Sequence, residues 1–397
     1  MRSRLKPIVC TALVLILLSS VTLVGFASSP KDVAAVTHDN LGYLSDALKN
    51  SRYDKDKIIS LKIDAKVDFD YDDWDVVANL NNIFPNLQNL VVTGGGVTIV
   101  TSYAFNTGRA SKENNFKKLT SIQMTDVHTI EVFAFQDCVS LEYVDFPELL
   151  DMEGFVFDGC KNLKYINMPK VQNLDNYVFS ECISIENVYM PNLNVLGSSA
   201  FDGCTALVDA YIPSATYIGD QAFYGCSKLK NVNMVSAENI AKRAFDNCNS
   251  LEIAIMPNVK KLGTQAFMFC SNLEEYVFGS EVPTLPTEYH TQGTYEAPTY
   301  HIFGDKSDYR NFRLDPDHVP NIIGYGAEFD GEEIFSVFSD YEFEENISYS
   351  EYLNVDFDKV YAKKSYTNPF IYNPRVIPRF FRYFTMYIKL IIQNSMI

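Results

Sequence analysis

The chain has 397 residues, of which 47% are hydrophobic and 21% charged, with 19 glycines and 16 prolines. Those figures exclude a wholly disordered chain, a collagen and a proline-rich spacer. Thirty-three basic against 50 acidic residues leave a formal net charge of −17, and so acidic a surface repels nucleic-acid phosphates, which argues against DNA or RNA as a partner.

Arg2, Arg4 and Lys6 precede an apolar run from Ile8 to Ala27, and Gly25-Phe26-Ala27 places small residues at −3 and −1 of a cut before Ser28. A basic start, an apolar middle and a small-residue exit read as a secretory signal peptide over 1–27. The run also nears the ~20 residues that span a bilayer, so an uncleaved anchor helix is the alternative. Either reading takes the remainder out of the cytoplasm, to a secreted or cell-surface location. Residues 28–57 are expected to be an N-terminal cap region, with a short helix over 39–50.

From Ile58 the chain repeats a spacing. Ile58, Leu61 and Ile63 recur as Leu87, Leu90 and Val92, and again as Leu119, Ile122 and Met124. The first of these coils is predicted to hold a helix over Asp72–Phe84, where Trp74, Val77 and Leu80 share a face. Asp68, Asp70, Asp72, Asp73 and Asp75 imitate a calcium loop, but Asp73 occupies the position that needs glycine and Asn79 the one that needs glutamate. Acids at a helix entry are the better reading. Gly94–Gly96 form a loop between coils, and an insertion falls near Gly108–Asn115.

Seven cysteines then follow at intervals of 22 residues: Cys138, Cys160, Cys182, Cys204, Cys226, Cys248 and Cys270. Three residues before each stands a phenylalanine, from Phe135 to Phe267, preceded by Ala or Val; three after each stands Leu or Ile. Five of the seven units carry proline six residues past that aliphatic, at Pro147, Pro169, Pro191, Pro213 and Pro257. Within a unit the apolar residues at +3 and +5 from the leucine, such as Ile166 and Met168 after Leu163, alternate as in a strand, which proline then ends. Twenty-two residues cannot bury these side chains alone, whereas stacking successive coils does, and the strands then form one continuous parallel sheet.

The stretch AFDGCTALVDAYIPSATYIGDQAFYGCSKLKNVNM resembles the leucine-rich repeats of BspA-like surface proteins, whose unit pairs Ala-Phe-x-x-Cys-x-x-Leu with aliphatic-x-aliphatic-Pro. The similarity covers about residues 58–279, and residues 280–313 resemble the coil that closes such arrays. It implies an α/β, β-dominant leucine-rich-repeat solenoid of stacked right-handed coils. It also implies a secreted or cell-surface, adhesin-like binding protein rather than an enzyme, with no shared catalytic residues or cofactor. Val235 and Gly279 in the proline slot, and Val156 and Val178 for alanine, depart from the pattern.

In a secreted chain, regular cysteines ordinarily suggest disulfides. Stacked coils, however, point all the Cβ vectors one way and hold the sulfurs near the strand spacing, far beyond a ~2.05 Å bond. A buried column of free thiols is expected, and a one-dimensional column cannot enclose a metal ion tetrahedrally.

Offsets +2 and +4 from each leucine should face away from the core. They are Tyr143/Asp145, Tyr165/Asn167, Asn187/Tyr189, Asp209/Tyr211 and Asn231/Asn233, followed by Ile253/Ile255 and Glu275/Val277. A stripe of tyrosine, Asn and Asp suits contact with an extracellular protein or glycan. Strand propensity alone also enriches tyrosine.

The C-terminal region, 314–397, is acidic and then basic and aromatic. Residues 286–358 hold 17 acidic and three basic residues; residues 359–397 hold seven basic and no acidic ones. The segment 375–397, with Arg375, Arg379, Arg382 and Lys389 among aromatics, could lie on a membrane or cell-wall surface, or dock on the acidic block of its own chain. His290, His301 and His318 match no metal spacing. The competing roles are a surface spacer without a ligand and, more remotely, an enzyme with catalysis in 314–397.

Overall fold

Aliphatic residues two apart form strands because alternate side chains share a face, and stacking the coils lines those strands up. A computed structural model describes residues 32–38, 44–49, 53–106, 116–278, 299–302, 321–324 and 342–343. The segments 1–27 and 375–397, the insertion near Gly108–Asn115, His290 and His318 lie outside the described residues.

All strand pairs are parallel and in register. One ladder contains Val33–His38, Ser60–Ala65, Asn89–Thr93, Ser121–Met124, Tyr143–Asp145 and Tyr165–Asn167. Further along the chain come Asn187–Tyr189, Asp209–Tyr211 and Asn231–Asn233, then Ile253–Met256, Glu275–Phe278, Thr299–Ile302, Asn321–Gly324 and Glu342–Phe343. Each central residue meets its equivalent one coil away, as Val144 does Ile166 and Ala210 does Val232.

The expected single continuous sheet is corrected: this ladder is three sheets, of six, three and five strands. Pairing stops between Tyr165–Asn167 and Asn187–Tyr189, and again between Asn231–Asn233 and Ile253–Met256. Beside the two gaps lie the least buried central side chains of these repeats, Ile166, which is only partly buried, and Val232 at 9% exposure. Val144, Ala210 and Ala254 are no more than 1% exposed.

A second ladder, not anticipated from the sequence, is unbroken. Its eight two-residue strands run from Ile99–Val100 through Thr129–Ile130, Asp151–Met152, Asn173–Leu174, Val195–Leu196, Tyr217–Ile218 and Asn239–Ile240 to Lys261–Leu262. The second residue of each is buried. Two other differences concern the ends. Val33–His38 adds a strand inside the expected cap, pairing with Ser60–Ala65 over its whole length. Beyond residue 313, Asn321–Gly324 and Glu342–Phe343 continue the ladder into the acidic block.

Between the ladders the core consists of columns. Phe105, Phe135, Phe157, Phe179, Phe201, Phe223, Phe245 and Phe267 are fully buried and stack with centroids 4.6–5.4 Å apart and planes within 15° of parallel. All seven repeat cysteines are buried free thiols. From Cys160 to Cys270 each Sγ donates to the carbonyl of the previous coil's phenylalanine at 3.0–3.1 Å. Burial pushes their pKa values up, that of Cys138 to about 12. The thiol column was expected from the sequence but this bond was not; it gives each carbonyl, which already accepts from the cysteine N–H of its own coil, a second partner.

To turn back within so short a unit the backbone twice enters the left-handed region. One such residue precedes each cysteine by five, as in Phe155 (φ 59°) and Gln221 (φ 56°); the other precedes it by one, as in Glu181 (φ 58°) and Gly203 (φ 71°). Earlier in the chain, Gly94 (φ 109°) runs so close to the preceding coil that a Cβ would lie 2.4 Å from the Ala65 carbonyl oxygen.

Among the described residues the α-helices are Leu44–Lys49, Tyr71–Ala78 and Leu80–Ile83, so the segment expected to form one helix over Asp72–Phe84 is interrupted at Asn79. Asp70 caps the middle helix: Asp73 N donates to Asp70 Oδ1 at 2.9 Å, and Asp70 N donates back to Asp73 Oδ2 at 3.2 Å. Buried Asp73 also accepts from Leu44 N at 3.1 Å and lies 3.0 Å from His38 Nε2. It ties the first strand and both longer helices together, which is a structural use of the acidic run.

Candidate ligand-binding face

The residues at offsets +2 and +4 assemble into two columns along the first ladder. Tyr143 is in register with Tyr165, and Asp145 with Asn167. Asn187, Asp209 and Asn231 align, as do Tyr189, Tyr211 and Asn233. The chemistry swaps columns at the first gap: tyrosines occupy the +2 column before it and the +4 column after it. Tyr189 and Tyr211 stack with centroids 5.1 Å apart and 14° between planes.

Each aspartate sits between two amides. Asp145 accepts from Gln123 Nε2 at 2.8 Å and from Asn167 Nδ2 at 2.7 Å. Asp209 Oδ1 accepts from Asn231 Nδ2 at 2.5 Å, and the Asn187 amide, with its nitrogen turned inward, donates to Asp209 Oδ2 at 3.3 Å. Burial pushes both carboxyls above the usual range while the amide bonds pull them back. Burial also raises the Tyr143 phenol, with Asp145 adding to the shift.

The expectation that the whole stripe faces outward is therefore corrected in part. Asp145 and Asp209 are buried, at 3% and 6% exposure, because neighbouring amides close over them. Tyr165 is exposed at 42%, while Tyr143, Asn167, Asn187, Tyr189, Tyr211, Asn231 and Asn233 are half-buried. The tyrosines and amides present the surface; the aspartates hold the amides in place from below. Gln123 completes the first set and was missed, although it occupies the same offset one coil earlier. Among the described residues no three His, Cys, Asp or Glu side chains are grouped so as to hold a metal ion.

The model of the BspA type leucine-rich repeat region matches residues 98–216 and 194–292, in six copies. Residues 98–292 are a leucine-rich-repeat region of the BspA type. Similar solved structures include a leucine-rich repeat protein of T. pallidum, TpLRR, at 23% identity over 47% of this chain and 77% of that one, with a TM-score of 0.34. Another is a leucine-rich repeat protein from Bacteroides ovatus, at 17% identity over 74% and 91%, TM-score 0.33. A leucine rich cell surface protein from Faecalibacterium prausnitzii matches at 15% identity over 70% and 84%, TM-score 0.31. No curated protein matches the chain. The assignment rests on the repeat itself, since all seven units of pattern Ala/Val-Phe-x-x-Cys-x-x-Leu/Ile fall within the matched residues.

Proposed function

We propose that this protein acts outside the cell as an adhesin-like binder that holds a protein or glycan against the strand face between Tyr143 and Asn233. The observation that carries the reading is the pairing of tyrosines with amides pinned by buried carboxylates. A ring with a polar tip gives contact area at low entropy cost, and an amide whose orientation is already fixed loses little freedom on binding. The basic-apolar-small pattern of residues 1–27 supports the extracytoplasmic location. Repeat solenoids commonly use such faces for binding.

The test is the Tyr165→Ser/Tyr189→Ser/Tyr211→Ser triple variant, screened beside the parent against matrix proteins, mucins and glycans. A ligand held by this face should bind the variant about tenfold more weakly or worse, a loss of roughly 1.4 kcal/mol. Unchanged affinity for every ligand found removes the face from the function. A parent that binds nothing in the screen favours the spacer role.

A further inference from the structure

A second set of columns lies on another part of the coil, at the residues five and seven before each cysteine position. Tyr103, Phe133, Phe155 and Tyr177 occupy the first of these in four successive coils, each in the left-handed backbone region, at φ 59–61°. Their rings stack, with centroids 5.1, 5.1 and 4.7 Å apart. They are not core: Tyr177 is exposed at 37% and the other three are half-buried. In the next four coils the same position holds Ser199, Gln221, Arg243 and Gln265 with the same backbone geometry. The coil therefore does not need an aromatic there, and a bulky side chain at positive φ is disfavoured.

The second column changes over the same coils. Glu131, Glu153 and Asp175 accompany Phe133, Phe155 and Tyr177, and Gly197, Gly219, Ala241 and Gly263 replace them afterwards. Glu131 Oε2 accepts from Ser102 N and Oγ, both at 2.9 Å, and Glu153 Oε2 from Val132 N at 2.9 Å. These bonds fix the carboxylates beside the aromatic ridge. No lysine, arginine or histidine occurs in 101–106, 131–137, 153–159 or 175–181, and among the described residues none of the three acids forms a salt bridge. The result is an apolar ridge with an acidic flank, confined to one part of the array.

We infer that this ridge is a docking surface for a cationic amphipathic helix of a partner protein, separate from the strand face. Charge complementarity sets the sign of the partner, and spacing sets its conformation. Successive turns of an α-helix are about 5.4 Å apart, whereas same-side residues of an extended chain are about 6.7 Å apart. Over the three ring intervals a helix drifts about 1 Å from the ridge and an extended chain about 5 Å. A helix can thus offer one apolar side chain per ring, with Lys or Arg on the adjacent face reaching Glu131, Glu153 and Asp175. A sugar is a poor fit because the ring faces it would stack on are covered by neighbouring rings.

The probe is a fluorescent peptide of about 18 residues, built from leucine and lysine with one apolar face and measured by anisotropy against the full-length protein. Controls are the same composition scrambled to abolish the face, and a leucine–glutamate version. The variant is Phe133→Gln/Phe155→Gln/Tyr177→Gln, which introduces the residue that Gln221 and Gln265 already show the coil to accept. A companion is Glu131→Gln/Glu153→Gln. The amphipathic cation should bind the parent in a salt-sensitive way, and about tenfold more weakly when either set is replaced, while the other two peptides bind at least tenfold more weakly to the parent. No binding by the parent overturns the proposal. So does equal binding by the scrambled peptide, or undiminished binding by a triple variant with the parent's melting temperature. The triple tyrosine variant of the strand face should retain the peptide, which separates the two surfaces.

Discussion

The coils that end at Cys182 and those that follow from Leu193 share an interior and differ at the surface. Both contain the same stack of phenylalanine rings, the same thiol-to-carbonyl bonds and the same two left-handed residues per coil. Outside, the earlier coils carry Phe133, Phe155 and Tyr177 beside Glu131, Glu153 and Asp175, where the later ones carry Ser199, Gln221, Arg243 and Gln265 beside Gly197, Gly219, Ala241 and Gly263. The difference teaches that stacking constrains the inward positions in every coil alike, because each must match the one above and below. Outward positions answer to no neighbour in the core and are free to specialise. Specialisation that persists over several coils is therefore a signature of function rather than of fold.

The largest expected effect tests the sameness of the interior. Phe157→Ala in the earlier coils and Phe223→Ala in the later ones each remove a fully buried ring from the middle of the stack. Each should cost about 3–5 kcal/mol, measured by urea denaturation. Costs that differ widely between the two sites would break the comparison. A smaller effect is expected from Cys204→Ala, which removes one of the two donors to the Phe179 carbonyl, leaves the bond from Cys182 N in place, and should cost about 0.5–1.5 kcal/mol. The same thiols supply a chemical check. Burial holds them protonated, so the native protein should resist alkylation at pH 8 and react at all seven repeat cysteines once unfolded without reductant. Finding three disulfide bridges instead would contradict the column. The smallest effect is a gain. Phe269 has φ 57° and a side chain 43% exposed, in the slot that Gly159, Gly203 and Gly225 fill elsewhere. Phe269→Gly should relieve the left-handed strain, less the extra chain entropy of glycine, for a net stabilisation of about 1 kcal/mol or less. A lower melting temperature would show that the exposed ring contributes packing instead.

The cysteine interval, the phenylalanine three residues before it and the aliphatic alternation were enough to read off the coil, its strand and the free thiols. Those features recur, and recurrence converts a weak local preference into a long-range constraint. The candidate face was legible as a set of offsets, since the side-chain period of a strand is two. That Asp145 and Asp209 are buried beneath the amides was not legible. It depends on which residue stands one coil away, at a sequence distance of 22, and on how closely that coil approaches. The aromatic ridge was missed because its position has no strand or helix period of its own and shows only when successive units are compared in register.

What the sequence determined by itself is the unit: its length, its apolar positions and the need of each coil for neighbours, all of which follow from hydrophobic side chains too numerous for 22 residues to bury. Only the tertiary structure decided where the long ladder is interrupted, that a second ladder of two-residue strands runs unbroken, and which outward side chains touch. Those outcomes depend on backbone separations between coils, which hydrogen bonds and van der Waals contacts settle at the scale of a few tenths of an ångström and which a pattern of residue types does not encode.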